Sequence, residues 1–170
     1  AKLDIPLEGL DAIANMRLPR LESDLNALLQ IKLVFPEDKY NQALKAKFKA
    51  LEKLTTSAIE VAEIGSGVGI VKSYKYLVQG HEALIKEISG FTPPDKSEEY
   101  IRSFKKGMSG LIAPVEKQAK DFRKAAIKKI ETENILSSEN SWFIGNMDLP
   151  ITPEFHVDKN GVLMDRGGAR

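Results

Sequence analysis

The sequence predicts an all-α domain, built as an antiparallel helical bundle or a helical-repeat-like array of four main helices, with an extended C-terminal tail. Apolar residues recur at three- and four-residue steps over long segments, which keeps one face of each helix apolar. Glycine and proline separate these segments. The 170 residues, 42% of them hydrophobic and 29% charged, suffice for a buried core. The predicted helical domain covers residues 1–136 and the tail covers residues 137–170.

The first two helical segments are defined by leucine stripes and by proline. Pro19 lies inside the first segment and predicts either a kink or the start of a new helix there. The second helix should begin near Pro36, since Glu37 and Asp38 suit the positive end of a helix dipole. The apolar positions that mark the first segment are Leu7, Leu10, Ile13, Leu21, Leu25, Leu28 and Leu29.

The glycine-rich run at residues 65–69 is expected to end the second helix and connect it to the third. A phosphate-binding loop would need G-x-x-x-x-G-K-[ST] or G-x-G-x-x-G after a strand, and the run has neither spacing. A backbone-amide anion site at the start of the third helix is the alternative. The apolar stripe of the third helix comprises Ile70, Tyr74, Leu77, Val78, His81, Leu84, Ile85 and Ile88.

The fourth helix carries the longest stripe in the chain. Ser97 suits its N-cap, and Pro114 predicts a kink or a split near Ala113. We expect Phe104, Leu111 and Phe122 to be mostly buried, because helical spacing places them on one face. The full stripe comprises Ile101, Phe104, Met108, Leu111, Val115, Ala119, Phe122, Ala126 and Ile130.

The tail has no helical period but retains large aromatic residues. An Asn160-Gly161 pair between short apolar stretches predicts a β-hairpin. Trp142, Phe143 and Phe155 are candidate anchors. They either hold the tail against its own helices or bind a partner, where aromatic anchors often dominate the binding energy.

Catalytic and metal-binding patterns have little support. The chain has no cysteine, which excludes disulfides and thiolate sites. His81 and His156 form no metal-binding pair, and Ser109 is not in a nucleophile elbow. Glu60 and Glu63, one turn apart, either share a cation or are ordinary solvated acids. We therefore expect no metal and no cofactor.

Lysines recur along one face of the fourth helix. Lys117, Lys120, Lys124 and Lys128, called here the lysine stripe, project opposite its apolar face. They form either a solvated surface or a docking stripe for anionic lipid, glycan or an acidic partner. The net charge of +1 gives no strong attraction to nucleic acid, which we do not expect as a partner. No apolar run is long enough to span a bilayer, so we expect no transmembrane segment, although a peripheral envelope contact stays open.

One stretch of the chain, about residues 36–136, has a pattern of small and aromatic residues around a Pro-Pro loop. The residues that define it are the segment 73–83, the Phe91-Thr-Pro-Pro94 loop, Tyr100, Ala113-Pro114, Gln118-Ala119 and Phe122. In these residues the chain resembles helical, tetratricopeptide-like proteins of the cell envelope of predatory and gliding bacteria. The resemblance implies a periplasmic α-helical repeat or bundle that acts as a scaffold, and it carries over no functional residues.

Three functions compete at this point. The first is a non-enzymatic protein-protein interaction or scaffold module of the bacterial cell envelope, in the periplasm or, alternatively, in the cytoplasm. The second is binding of an anionic surface through the lysine stripe. The third is an enzyme with a carboxylate, lysine and tyrosine site that no motif reveals.

Overall fold

Four long helices and one short helix make up most of the chain. The structure, a computed structural model, describes residues 6–144, 155–157 and 163–165. The prediction of an all-α domain with four main helices is confirmed, and the short fifth helix was not predicted. In chain order the elements are α1 (Leu7–Gln30), α2 (Glu37–Ala62), α3 (Gly67–Gly90), α4 (Glu98–Thr132), α5 (Asn140–Ile144), β1 (Phe155–Val157) and β2 (Leu163–Asp165).

Successive helices run antiparallel, as contacts between α1 and α2 show. Ser57 Oγ donates a hydrogen bond to Asp24 Oδ2 at 2.7 Å, and Lys47 Nζ donates to Leu28 O at 3.2 Å. Leu28, the later of the two residues of α1, therefore contacts Lys47, the earlier of the two residues of α2. This reversed order shows that the two helices are antiparallel. Short connectors impose this arrangement, because they leave no chain to reach the far end of a neighbour.

The helix α4 packs mainly on α3. The rings of His81 and Phe122 lie 5.2 Å apart, and those of Phe91 and Phe104 lie 6.0 Å apart. The residue numbers increase along one helix as they decrease along the other, so α3 and α4 are also antiparallel. The helices α1, α2 and α3 pack on one another, whereas the described parts of α2 and α4 meet only through side chains.

The core consists of two clusters of buried apolar side chains. The larger joins α1, α2 and α3 with Ile112 and Val115 of α4. The smaller lies between α3, α4 and α5, and its buried members are Ile70, Val71, Val78, Ala126, Ile130, Ile135 and Phe143. The short helix α5 is therefore part of the packed body, although the sequence placed it in the tail.

The glycine-rich run is a connector between two helices, as predicted. Gly65 ends the turn after α2 at φ +84°, a left-handed conformation that glycine adopts without strain. Ser66 then caps α3, since its Oγ accepts a hydrogen bond from Gly69 N at 3.1 Å. Ser97 caps α4 in the same way, accepting from Tyr100 N at 3.3 Å.

Of the two alternatives at Pro19 and Pro114, an interruption of the helix is wrong, and a kink stays a prediction. The helix α1 continues through Pro19, and α4 runs for 35 residues through Pro114. Both prolines are solvent-exposed, as is Gly110, whose carbonyl loses its amide partner at Pro114. Water can hydrogen-bond that carbonyl, so the helix tolerates the proline. At about 1.5 Å per residue, α4 is about 52 Å long.

The predicted burial of Leu111 is also wrong. Leu111 is 43% exposed, whereas its neighbour Ile112 is 8% exposed and belongs to the core. Leu111 precedes Val115 by four residues and Ile112 precedes it by three. Both steps fit one helix face, so the pattern alone does not distinguish them. Phe104 and Phe122 are partly buried and pack against the larger core cluster.

The end of the chain contains a short antiparallel strand pair. Phe155 pairs with Asp165 and Val157 pairs with Leu163, a register that the predicted hairpin requires. The Asn160-Gly161 turn itself lies outside the described residues. Across the described helices, none has both the length and the hydropathy that crossing a membrane requires.

Candidate functional site

An open groove between α2 and α4 is the candidate site, and both helices pack on α3 beneath it. At one end α2 and α4 meet: the rings of Tyr40 and Phe104 lie 5.1 Å apart, and Tyr40 Oη donates to Met108 Sδ at 3.4 Å. Further along, both helices still pack on α3, but their described backbones make no contact with each other. The space between them is called here the α2/α4 groove.

The central part of the α2/α4 groove has a volume of about 570 Å³. Its floor is formed by buried or partly buried side chains of Phe48, Leu51 and His81, and its rim is polar and exposed. The full lining comprises Lys45, Phe48, Lys49, Leu51, Glu52, Thr55, Thr56, His81 and Gln118. An apolar floor with a charged rim suits a partner that has both an apolar and a polar face.

A smaller recess lies further along the same three helices, with a volume of about 250 Å³. It is called here the Ser73 recess, after the buried serine in its wall. Most of its lining is apolar, and Glu63 and Lys129 supply opposite charges. The lining comprises Ala58, Ile59, Ala62, Glu63, Ser73, Tyr74, Leu77, Phe122 and Lys129.

His81 is the one ionisable side chain in the floor of the central groove, and it is only 2% exposed. Its Nδ1 lies 2.7 Å from Leu77 O, so Nδ1 carries the proton and donates it to that carbonyl. Burial lowers the pKa of His81, and hydrogen bonds to Leu77 and Gln118 offset the effect only in part. The ring is therefore neutral at pH 7, with Nε2 as an acceptor.

A buried ion pair outside the groove links three helices. Lys47 is 1% exposed, and its Nζ lies 2.6 Å from Glu87 Oε2. Glu87 Oε1 also accepts from Leu33 N at 3.0 Å. Burial, and then the charge of Glu87, raises the pKa of Tyr40 to about 12. Sequence reasoning missed Lys47, although a lysine between Leu44 and Leu51 of an apolar stripe was a usable signal.

A second buried acid, Asp24, was also missed. It is 4% exposed, and it accepts from Ser57 Oγ and pairs with Lys53 Nζ at 2.7 Å. Burial alone would raise the pKa of Asp24, but the hydrogen bonds from Lys53 and Ser57 outweigh it, so the pKa is lowered. The hydrogen bond with Ser57 and the ion pair with Lys53 both join α1 to α2, so the role of Asp24 is structural.

The other acids and the serine weighed from the sequence do not form a site. Glu60 lines a cavity of about 230 Å³ between α1 and α2, whereas Glu63 lines the Ser73 recess, and both are exposed. Ser109 is exposed, and its hydroxyl donates to Lys106 O at 2.7 Å. Within the described residues, no three potential metal ligands cluster together.

The lysine stripe lies on the solvent side of α4. Lys117, Lys120, Lys124 and Lys128 are all exposed. None of the ion pairs among the described residues includes any of them. None of them lines the α2/α4 groove or the Ser73 recess.

Two of the three tail aromatics pack against the helices. Phe143 is 0% exposed and belongs to the smaller core cluster. Trp142 is partly buried, with its ring 4.9 Å from that of Phe143 and 4.6 Å from the Arg123 guanidinium. This placement favours the intramolecular role for these two residues. The side chain of Phe155 lies outside the described part, so its role as a partner anchor stays a prediction.

Comparison with known proteins adds no functional information. No protein-family model matches the chain, and no curated protein or solved structure matches it significantly. The resemblance to tetratricopeptide-like envelope proteins therefore stays a prediction.

Proposed function

We propose that this protein is a non-enzymatic interaction module whose α2/α4 groove binds an amphipathic helix of a partner protein. The observation that supports this is the groove itself, which has a floor of Phe48, Leu51 and His81 between two polar rims. Amphipathic helices commonly bind in such grooves, with their apolar face against the floor.

The length of the groove suits a helical segment. The residues of α2 that line the central groove and the Ser73 recess run from Lys45 to Glu63. At a rise of about 1.5 Å per residue, this edge is about 27 Å long. A partner helix of about five turns would match that length.

The charge of the rim favours an acidic partner. Lys45 and Lys49 are exposed on the α2 side and form none of the ion pairs among the described residues. Glu52 is the one acid among the described residues that line the central groove. Acidic residues flanking the apolar face of the partner helix would pair with the two lysines, and the resulting attraction would weaken as salt rises.

Binding of an anionic surface is the second candidate. The lysine stripe favours it, because its members are exposed and take part in none of the ion pairs among the described residues. Four ammonium groups on one helix face attract phosphate or carboxylate groups. The enzyme alternative has no observation in its favour among the described residues. Cell fractionation would test the proposed location in the cell envelope.

The test is capture of partners from a native extract with charge-reversal variants. The wild type is compared with Lys45→Glu/Lys49→Glu, which alters the groove rim, and with Lys120→Glu/Lys124→Glu, which alters the lysine stripe. Lys105→Glu/Lys106→Glu is the matched control, because both lysines are exposed on α4 and line neither part of the groove.

The proposal expects a protein that the wild type and both α4 variants retain and that the groove variant loses. A protein lost only from Lys120→Glu/Lys124→Glu would favour the lysine stripe. If all four forms retain the same proteins, the groove is not the binding surface. Equal circular dichroism spectra show that each variant is folded.

A further inference from the structure

The cavity between α1 and α2, already noted for Glu60, combines apolar walls with two arginines. It has a volume of about 230 Å³ and is called here the Arg17/Arg20 cavity. None of its lining residues lines the central α2/α4 groove or the Ser73 recess. It is therefore separate from the surface assigned to a partner helix.

The walls of the Arg17/Arg20 cavity are largely apolar. Leu21 and Val61 are buried core residues, Ile64 is partly buried, and Ile13 adds apolar surface that solvent reaches. An apolar cavity of about 150 Å³ is large enough for benzene. The volume here therefore suits a ring or a branched chain that carries one short polar group.

Arg17 and Arg20 supply the polar groups of this cavity. They lie three residues apart on α1, so their side chains are neighbours on one helix face. Both are exposed, and neither takes part in the ion pairs among the described residues. A guanidinium group presents its N–H donors in a planar fork that matches a carboxylate.

The buried acid nearest in sequence does not occupy these donors. Asp24 lies one turn beyond Arg20 on α1, and both of its carboxylate oxygens already have partners. Oδ2 accepts from Ser57 Oγ at 2.7 Å, and Oδ1 lies 2.7 Å from Lys53 Nζ. The two guanidinium groups can therefore bind an anion from solution.

The charge of the lining favours a ligand with a single negative charge. Glu60 is the one acid among the described residues that line the cavity, so two arginines and one glutamate leave a net charge of +1. A carboxylate neutralises this charge. A phosphate monoester carries about −1.5 to −2 at pH 7 and would leave an excess of negative charge beside Glu60.

We propose that the Arg17/Arg20 cavity binds a small organic monocarboxylate whose apolar body is an aromatic ring or a branched chain. The two guanidinium groups hold the carboxylate, and the apolar walls cover the body. Small-molecule sites have this composition, in which a few polar groups orient a ligand within apolar walls. The inference goes beyond the proposed protein-binding function and does not depend on it, because the ligand and the residues differ.

The experiment uses the full chain at pH 7.5 and four probes: phenylacetate, phenylacetamide, acetate and phenyl phosphate. Binding is followed through backbone amide shifts in two-dimensional NMR spectra. We expect saturable shifts at Leu21, Val61 and Ile64 with phenylacetate. Phenylacetamide lacks the charge, acetate lacks the apolar body and phenyl phosphate carries excess charge, so each should bind at least about tenfold more weakly.

Three variants test the roles of the charged residues. Arg17→Gln/Arg20→Gln should weaken phenylacetate binding by about tenfold or more, because it removes two charge-assisted hydrogen-bond donors. Glu60→Gln removes the acid of the lining and should tighten phenylacetate binding, by up to about fivefold. Arg102→Gln changes an exposed arginine on α4 and is the control that should bind as the wild type does. Equal circular dichroism spectra show that each variant is folded.

Several results would overturn the inference. They are an unchanged affinity of Arg17→Gln/Arg20→Gln, an affinity of Glu60→Gln no higher than that of the wild type, or equal binding of phenylacetate and phenylacetamide. Equal binding of acetate would show attraction of anions alone, and tighter binding of phenyl phosphate would assign the cavity to phosphate. An absence of saturable shifts also rejects the proposal. None of these outcomes bears on Lys45→Glu/Lys49→Glu, so failure here is distinguishable from failure of the groove proposal.

Discussion

Lys47 Nζ lies 2.6 Å from Glu87 Oε2, and the same ammonium group donates to Leu28 O at 3.2 Å. The pair therefore joins α2 to α3 and satisfies a carbonyl in the last turn of α1. Lys47 is 1% exposed, so neither water nor salt screens its charge effectively. This contact therefore links α2 to the C-terminal parts of α1 and α3.

Replacement of Lys47 by methionine should destabilise the protein by about 3 kcal/mol, because Glu87 loses its counter-charge in a partly buried site. Thermal or urea unfolding measures the loss. Lys129→Met is the matched control: it removes an exposed pair with Glu133 along α4 and should cost about 0.5 kcal/mol or less. Equal losses in the two variants would show that the buried pair has no special role.

Phe143 should prove to be a structural residue. It is 0% exposed in the smaller core cluster, so Phe143→Ala should cost about 3–5 kcal/mol. Leu136→Ala is the control, since Leu136 is 85% exposed and its loss should change stability by less than about 0.5 kcal/mol. Deleting residues 137–170 should destabilise the helices at least as much as Phe143→Ala. A truncated protein that melts like the wild type would contradict the role assigned to α5.

Gly80 permits close packing of α3 against α2. A Cβ atom there would lie 2.5 Å from Leu54 Cδ2 and 3.2 Å from Leu28 Cδ2, and both leucines are fully buried. Gly80→Ala should cost about 1–2 kcal/mol, because overpacking exceeds the gain in helix propensity. Gly107→Ala meets nothing within 4 Å and should stabilise α4 by about 0.5–1 kcal/mol. Urea unfolding should give a lower free energy of unfolding for Gly80→Ala and a higher one for Gly107→Ala. Stabilisation by both substitutions would contradict the close approach of α3 to α2.

Stability should fall as the pH is lowered below the ordinary pKa of histidine. The pKa of His81 is lowered from 6.5 by burial, so the unfolded chain takes up this proton before the folded chain does. The contribution of His81 is complete above about pH 6.5 and is lost as the pH falls toward its folded pKa. Unfolding free energies measured from pH 7.5 to 5 should therefore decline.

His81→Asn removes this titration but retains a side-chain amide donor, and it should flatten the decline. His156→Asn removes the other histidine of the chain and serves as the control. If His156→Asn flattens the profile and His81→Asn does not, the pH dependence arises from His156 in the tail and the role assigned to His81 is contradicted. Asp24 acts in a separate window, because its lowered pKa affects stability only below about pH 4.

The sequence predicted the helices well, because their long apolar stripes and the glycine and proline residues between them are local signals. It did not distinguish Leu111 from Ile112, since two adjacent apolar residues fit the same spacing within the tolerance of a helix face. The sequence alone could not decide whether the helices are interrupted at the prolines. The outcome depends partly on whether water reaches the carbonyl that proline leaves unpaired, and this depends on the tertiary packing.

The candidate site could not be predicted in the same way. The α2/α4 groove exists because α2 and α4 both pack on α3 without backbone contact between them, which is a property of the whole fold. Phe48 and Thr55 share a face of α2, but Gln118 lies on α4 and meets them only in the groove. The lysine stripe could be predicted from the sequence, because its members lie on one helix. In the structure they lie on the solvent side of α4 rather than at the groove.

The most direct test of the central claim is to block the α2/α4 groove reversibly. The chain has no cysteine, so Thr56→Cys places a single thiol on the exposed rim of the groove, and Ser109→Cys places one on α4 away from the lining. Each variant is modified with a bulky disulfide-forming reagent, and the affinity for the captured partner is measured before and after reduction. The groove account predicts that modification at residue 56 lowers the affinity at least tenfold, that reduction restores it, and that modification at residue 109 has no effect. Unchanged affinity at residue 56, or an equal loss at both positions, would contradict it.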